Sequence, residues 1–177
     1  VTNKSWIWGL DVTRENTTNL ASFWGHMDIH TYSYANAGYI LGIDDKLYES
    51  IPETDIRKQW FNPNGRYYHC PQNKFYFGTM ETRFDPIAAG NTTGVDRNWL
   101  SDIVYMRIEE AYLLAAEAAY RMKDNAEAIR ILTEFESQRN TDVQITADNL
   151  LLKLYFNWRV ELWGEGRSLL TFKRFGS

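Results

Sequence analysis

The spacing of apolar residues after position 100 constrains this chain most. Ile103, Met106, Tyr112, Ala115, Ala119 and Met122 recur close to the helical period. Ser101 or Asp102 stands where a cap would begin that helix. Lys123-Asp124-Asn125 interrupts the pattern, and Asn125 is placed to cap a second helix carrying Ala128, Ile129, Leu132 and Phe135. So short a break folds the two helices into an antiparallel hairpin. A third helix is predicted from near Thr146, with Leu151, Leu154, Tyr155, Trp158 and Leu162 forming an apolar stripe. Gly164 and Gly166 predict its end, since each costs ~1 kcal/mol relative to Ala inside a helix. Ser168 to Phe175 then forms a short last helix. Ala115, Ala116, Ala118 and Ala119 precede the hairpin turn and Ala126 and Ala128 follow it. Such small residues let the helices approach closely, as in a tetratricopeptide-like unit. One unit cannot bury its own face, so either the third helix or further repeats must cover it.

Residues 1–100 follow a different pattern, rich in Asn, Thr, Gly, Tyr and Trp. Ala35-Asn36-Ala37-Gly38 and Asn62-Pro63-Asn64-Gly65 are turn signals. Between such turns lie short aromatic runs, Trp6-Ile7-Trp8 and Lys74-Phe75-Tyr76-Phe77, that read as brief strands. A short helix is predicted around Ile56. The fold class expected is mainly α, with irregular loops and short strands. The expected organisation is a loop-rich aromatic segment over 1–100 and a helical segment over 101–177, both parts of one domain.

Composition narrows the function. A formal charge of −4 argues against nucleic acid, which needs a basic face. The single cysteine, Cys70, can form no internal disulfide and has no second thiol nearby for a metal site; it reads as a small buried hydrophobe. No apolar run approaches the ~20 residues that span a bilayer, and the segment beginning at Val1 shows no leader pattern. The aromatic content of 15%, with seven Trp and eleven Tyr, is high. Aromatic rings beyond those a core needs suit flat ligands, of which sugar rings are the commonest kind. Trp6, Trp8, Trp60, Trp99, Trp158 and Trp163 are assigned mainly to the core.

Two segments carry a resemblance. Arg107, Glu110, Leu113, Ala116, Glu117 and Ala118 match the pattern R-x-x-E-x-x-L-x-x-A-E-A. Glu161, Leu162, Glu165, Gly166 and Arg174 match a closing pattern E-R-R-x-E-L-x-x-E-G-x-R-x-x-D-L-x-R, and Asp55-Ile56-Arg57 is similar to a weaker D-x-R element. In this order and at this distance the segments resemble the SusD/RagB family, in its C-terminal part. Departures stand at Asn157 (usually Glu), Trp158 (usually Arg), Ser168 (Arg) and Thr171 (Asp). The resemblance implies a SusD-like fold. It implies a surface lipoprotein of the outer membrane in Bacteroides-like bacteria, with signal peptide and lipid anchor outside this chain. Its implied partners are an oligosaccharide or polysaccharide and a SusC-like TonB-dependent transporter. No cofactor and no catalytic activity are expected.

Binding residues cannot be carried over by motif, because the family's binding loops vary. The residues themselves point to Trp24, Tyr32, Tyr34 and Tyr39, which share one polar, glycine-bearing stretch without a helical stripe to bury them. A sugar offers C–H bonds to an aromatic face and hydroxyls to polar side chains, and His26 and Asp28, with Asn19 and Asn36 nearby, supply the latter. His26 and His30 also have HxxxH spacing, but no Glu follows the first His and β-prone residues follow the second, so loop histidines are expected rather than a zinc pair. Glu161 and Glu165, four residues apart on one helix face, could serve acid–base chemistry; the reading preferred is an ion network in which Arg107 or Arg159 pins the third helix to the hairpin.

Three functions compete on these grounds. The first is a glycan-binding module of an import complex. The second is a helical-repeat module that docks the transporter without touching glycan. The third, a glycoside hydrolase fragment, is disfavoured because no carboxylate pair stands out in the aromatic half.

Overall fold

The computed structural model describes residues 4–13, 15–16, 18, 21, 26–27, 34–66, 68–71 and 103–176. They are mainly α-helical with short strands, as the sequence predicts. The chain divides into two compact units. One comprises Val1–Gly9, Pro52–Ile56 and Val104–Ser177; the other comprises Leu10–Ile51 and Arg57–Ile103.

Among the described residues the first unit holds four helices, α3 (Ile108–Arg121), α4 (Asn125–Ser137), α5 (Leu150–Glu161) and α6 (Ser168–Phe175), and nearly all of two paired strands, β1 (Trp6–Leu10) and β2 (Ile103–Arg107). The strand β2 corrects the sequence reading, which begins a helix at Ile103. Ile, Val, Tyr and Met suit a pleated surface, and β1 supplies a partner some hundred residues away that spacing alone cannot reveal. Ser101 and Asp102 lie outside the described residues. Arg107 stands at the helix start in extended conformation and makes no capping bond with its side chain.

The hairpin forms as predicted, with one correction. Asp124, not Asn125, caps α4, its carboxylate accepting the Glu127 N–H at 3.1 Å. Lys123 turns the corner at φ 65°. Ala116 and Ala119 of α3 meet Ala128, Leu132 and Phe135 of α4, and Leu150, Leu154, Trp158 and Leu162 close over them in one buried cluster. The third helix therefore covers the hairpin, the first of the two alternatives above. Each fully buried Leu contributes roughly 1.5–3 kcal/mol. The stripe on α5 is rotated from expectation: Leu150 is fully buried and Leu151 is exposed. Gly164 and Gly166, at φ 76° and 77°, end that helix in the left-handed region where glycine is favoured, and α6 follows over the predicted residues.

In the same unit, Pro52–Ile56 lies against the end of the hairpin: Asp55 bridges Asn140, and Ile56 N–H donates to the Arg139 carbonyl at 2.8 Å. Of the tryptophans assigned to the core, Trp158 is buried, but Trp8 is 66% exposed. Trp6, Trp60 and Trp163 are half-buried and Trp99 is not described. A two-stranded sheet has too little surface to bury both its faces, which explains Trp8.

Among its described residues the second unit has two short helices, α1 (Tyr34–Ala37) and α2 (Asp45–Glu49), followed by a 3-10 turn at Ile56–Trp60 where the sequence predicts a short helix. Backbone hydrogen bonds hold its loops. Phe61 bridges Pro71, Asn62 N–H donates to Cys70 O at 2.9 Å, and His69 N–H donates to Asn62 O at 2.8 Å. Ile43 N–H donates to His69 O at 3.0 Å. A Cβ at Gly42 would sit 2.9 Å from that same His69 oxygen, so only glycine lets these two segments meet. The second predicted strand, Lys74–Phe77, lies outside the described residues. No described helix is long and apolar enough to cross a membrane.

Candidate ligand-binding site

Three of the six residues predicted to bind ligand come together. His26 and Tyr34 stack with centroids 5.1 Å apart and planes 18° from parallel. Tyr39 meets Tyr34 edge-on at 6.2 Å and 82°. The local chain explains the placement. The single turn of α1 ends at Gly38, whose φ of 116° reverses the backbone, and Tyr39 N–H then donates to the Tyr34 carbonyl at 3.0 Å. Ala35, on the same turn, is buried against Cys70 and anchors it. Burial pushes the Cys70 thiol up to about 11, so it packs as the inert hydrophobe the sequence suggested. Tyr39 is 72% exposed and Tyr34 39%, and His26 is exposed. The result is a corner of two aromatic planes open to water, able to stack on an apolar ring face while the phenol and imidazole groups reach hydroxyls. Trp24, Asp28 and Tyr32 lie outside the described residues, as does His30. Among the described residues no group of His, Cys, Asp and Glu could hold a metal ion.

Sequence reasoning missed a second ring cluster in this unit. His69 packs between Tyr68 at 3.6 Å and Tyr48 at 4.1 Å, with Lys58 5.2 Å above the Tyr48 ring. Its Nδ1 is 2.8 Å from Asp45 Oδ1. The residue is buried, so it braces the loops rather than presenting a surface. Its partner is 24 positions away and no local pattern announces it.

The charges of the two family-like segments are used up against each other. Arg107 Nη1 donates to Glu161 Oε1 at 2.8 Å and its Nε to Glu165 Oε1 at 3.1 Å, while its Nη2 reaches the Glu161 carbonyl. Arg139 donates from Nε to Glu161 Oε2 at 2.6 Å. Arg167 pairs with Glu110 at 2.8 Å, and Arg174 with Glu117 at 2.9 Å. Thus Arg107, Glu110 and Glu117 of the first segment each meet a charged residue of the second stretch, while Glu109 lies beside Arg107 and Arg139. The expected network exists, with Arg107 at its centre. Its second arginine is Arg139, not Arg159, whose guanidinium lies over Tyr155. Burial alone would lower the Arg107 pKa; the charges of Glu161, Glu165 and Glu109 more than reverse this and hold it above the arginine range. Burial also raises Glu165, Arg107 opposes that, and Glu161 and Glu110 push further upward, leaving a net rise.

Two departures from the family pattern acquire physical accounts. Asn157 donates to the fully buried Glu136 at 2.8 Å, beside Lys153 Nζ at 2.8 Å; a glutamate there would set two carboxylates together. Trp158 lies beneath the Arg174 guanidinium at 4.6 Å.

This architecture is SusD-like. Over 95% of its length the chain is similar to a SusD-like carbohydrate binding protein from Bacteroides vulgatus, with 26% identity and a TM-score of 0.65, spanning 34% of that protein. It also shares the fold of a SusD superfamily protein from Bacteroides fragilis, at 16% identity and a TM-score of 0.57, covering 96% of this chain and 40% of that one. The chain thus spans between a third and two-fifths of the length of the solved structures it matches. No protein-family model matches it and no curated protein does.

Proposed function

We propose that this chain is the C-terminal part of a SusD-like, surface-exposed lipoprotein of the outer membrane. In this reading it binds oligosaccharide or polysaccharide for uptake through a SusC-like TonB-dependent transporter, without catalysing a reaction. The aromatic segment over 1–100 and the helical segment over 101–177 serve as parts of one SusD-like domain. The observation that carries the reading is the exposed corner of His26, Tyr34 and Tyr39. Trp24, Tyr32 and Asp28, from the same stretch, complete the proposed contact set. Support comes from the likeness to a carbohydrate binding protein over nearly the whole chain. The engagement of Glu161 and Glu165 by arginines also weighs against their use as an acid–base pair.

A glycan array followed by calorimetry tests this. Binding to at least one neutral glycan, lost in Tyr39→Ala and Tyr34→Ala, is expected, with no product released. A chain that binds no glycan but captures the transporter supports the docking module instead. Release of shortened glycans would revive the hydrolase reading.

A further inference from the structure

The Asn64-Gly65 pair stands at the tip of the turn closed by Phe61 and Pro71. We propose that Asn64 is a site of spontaneous covalent modification, converting to aspartate and isoaspartate. The Gly65 backbone nitrogen attacks Asn64 Cγ, forming a C–N bond. The Cγ–Nδ2 bond breaks, and the displaced amide takes the Gly65 N–H proton and leaves as ammonia. Water then opens the five-membered imide at either carbonyl. Opening at Cγ restores an ordinary backbone with aspartate; opening at the backbone carbonyl leaves isoaspartate, with one extra methylene in the main chain. Nothing is oxidised or reduced, and water is the sole co-reactant.

The surroundings meet each requirement of that step. Asn64 and Gly65 are both exposed, so water and the departing ammonia have free passage. Gly65 offers no side chain to block the attack, and nothing lies within 4 Å of where its Cβ would be. Its φ of 78° keeps the peptide in a conformation that glycine tolerates at little cost. Its carbonyl accepts from Tyr68 N–H at 3.1 Å, whereas its N–H, the nucleophile, makes no hydrogen bond among the described residues. The same is true of the Asn64 amide.

Five other described asparagines fail one requirement or another. Asn62 precedes a proline, which has no N–H to attack with, and its amide donates to Cys70 O at 3.4 Å. Asn16 accepts from Thr13 N–H and donates to Asp11 O. Asn149 is engaged with Thr146 and Gln144, and Asn140 and Asn157 are buried. Conversion at Asn64 makes the formal charge of −4 one unit more negative. The base of the turn, tied by the Asn62 bonds to His69 and Cys70, confines the lengthened backbone to the tip. This inference is independent of what the chain binds.

The folded 177-residue protein is aged in mildly alkaline buffer made with heavy-oxygen water and digested with trypsin, giving the peptide Gln59–Arg66. Electron-based fragmentation should locate a time-dependent amide-to-acid mass gain carrying the oxygen label at Asn64, in two isomeric products, about tenfold faster than at Asn62 or Asn16. Asn64→Gln, which leaves Gly65 and its backbone conformation in place, should abolish the gain, because the longer side chain closes its ring far more slowly. Conversion of Asn64 no faster than of the other asparagines would overturn the proposal. So would conversion confined to denatured protein, because the folded turn would then protect the site.

Discussion

In the helical unit, acidic and basic side chains point inward and meet across elements more than fifty residues apart, as Arg107 meets Glu161 and Arg174 meets Glu117. In the loop-rich unit, backbone hydrogen bonds and ring stacking hold the chain, and Tyr34 and Tyr39 keep much of their surface in water. The contrast separates two kinds of information. Charges buried against each other leave no capacity for a ligand, yet their spacing is rigidly dictated, so they mark the fold. Exposed aromatic rings contribute little to a core and are free to vary with whatever they stack upon. The part of this protein easiest to assign to a family is therefore the part with least to say about ligand.

The largest test of that division is Arg107→Ala. It takes the arginine from the part-buried Glu165 and leaves the buried Glu161 with Arg139 alone, and a loss of about 3 kcal/mol in urea or thermal unfolding is expected, with unchanged glycan affinity in whatever remains folded. A normal melting curve accompanied by lost binding would reverse the division. Next comes Tyr39→Ala, which should weaken glycan binding by about 1 kcal/mol or more in calorimetry. As a surface change it should leave stability within about 0.5 kcal/mol. A similar size of effect, about 1 kcal/mol of stability, is expected from Asp124→Ala, with Asn125→Ala nearly neutral; equal effects would restore Asn125 as the cap.

The smallest effect concerns pH. The Glu165 carboxyl lies above its ordinary value of 4.5 in the folded chain, so the folded state holds its proton more tightly than the unfolded state. That contribution to stability is complete below the unfolded value and fades as pH rises through the folded one. The stability of the wild type relative to Glu165→Gln should therefore decline as pH climbs from about 4.5. A difference that grows with pH would mean that Arg107 dominates and that Glu165 is held low.

Much of the helical unit was legible in the string. The hairpin, the break at Gly164 and Gly166 and the last helix all follow from local periodicity and glycine conformation. The rotation of α5 was not. Asn157 and Glu161 are buried polar residues, and a stripe drawn through apolar residues alone omits them and places its centre nearer Leu151 than Leu150. Arg139 and Arg167 carry no local mark of their roles, because a surface arginine and a paired one look identical in sequence until a carboxylate is brought to it. In the aromatic half, composition and turn signals pointed to the neighbourhood of Tyr34 and Tyr39, but not to the stacking of His26 on Tyr34. That contact depends on how an irregular loop closes, and no repeating spacing encodes it.

The sequence by itself determined where the hairpin turns, that helices follow one another beyond Ile108, and which charged residues belong to a SusD-like pattern. These properties rest on interactions within a few residues of one another. Tertiary structure alone decided that Ile103–Arg107 is a strand, because its partner is Trp6–Leu10, some hundred residues earlier in the chain. It also decided that the two charged segments are halves of one network, and that Trp8 faces water while Trp158 does not. Each depends on a partner distant in sequence, and the free energy of pairing charges or burying a ring exists only once folding has brought that partner within reach.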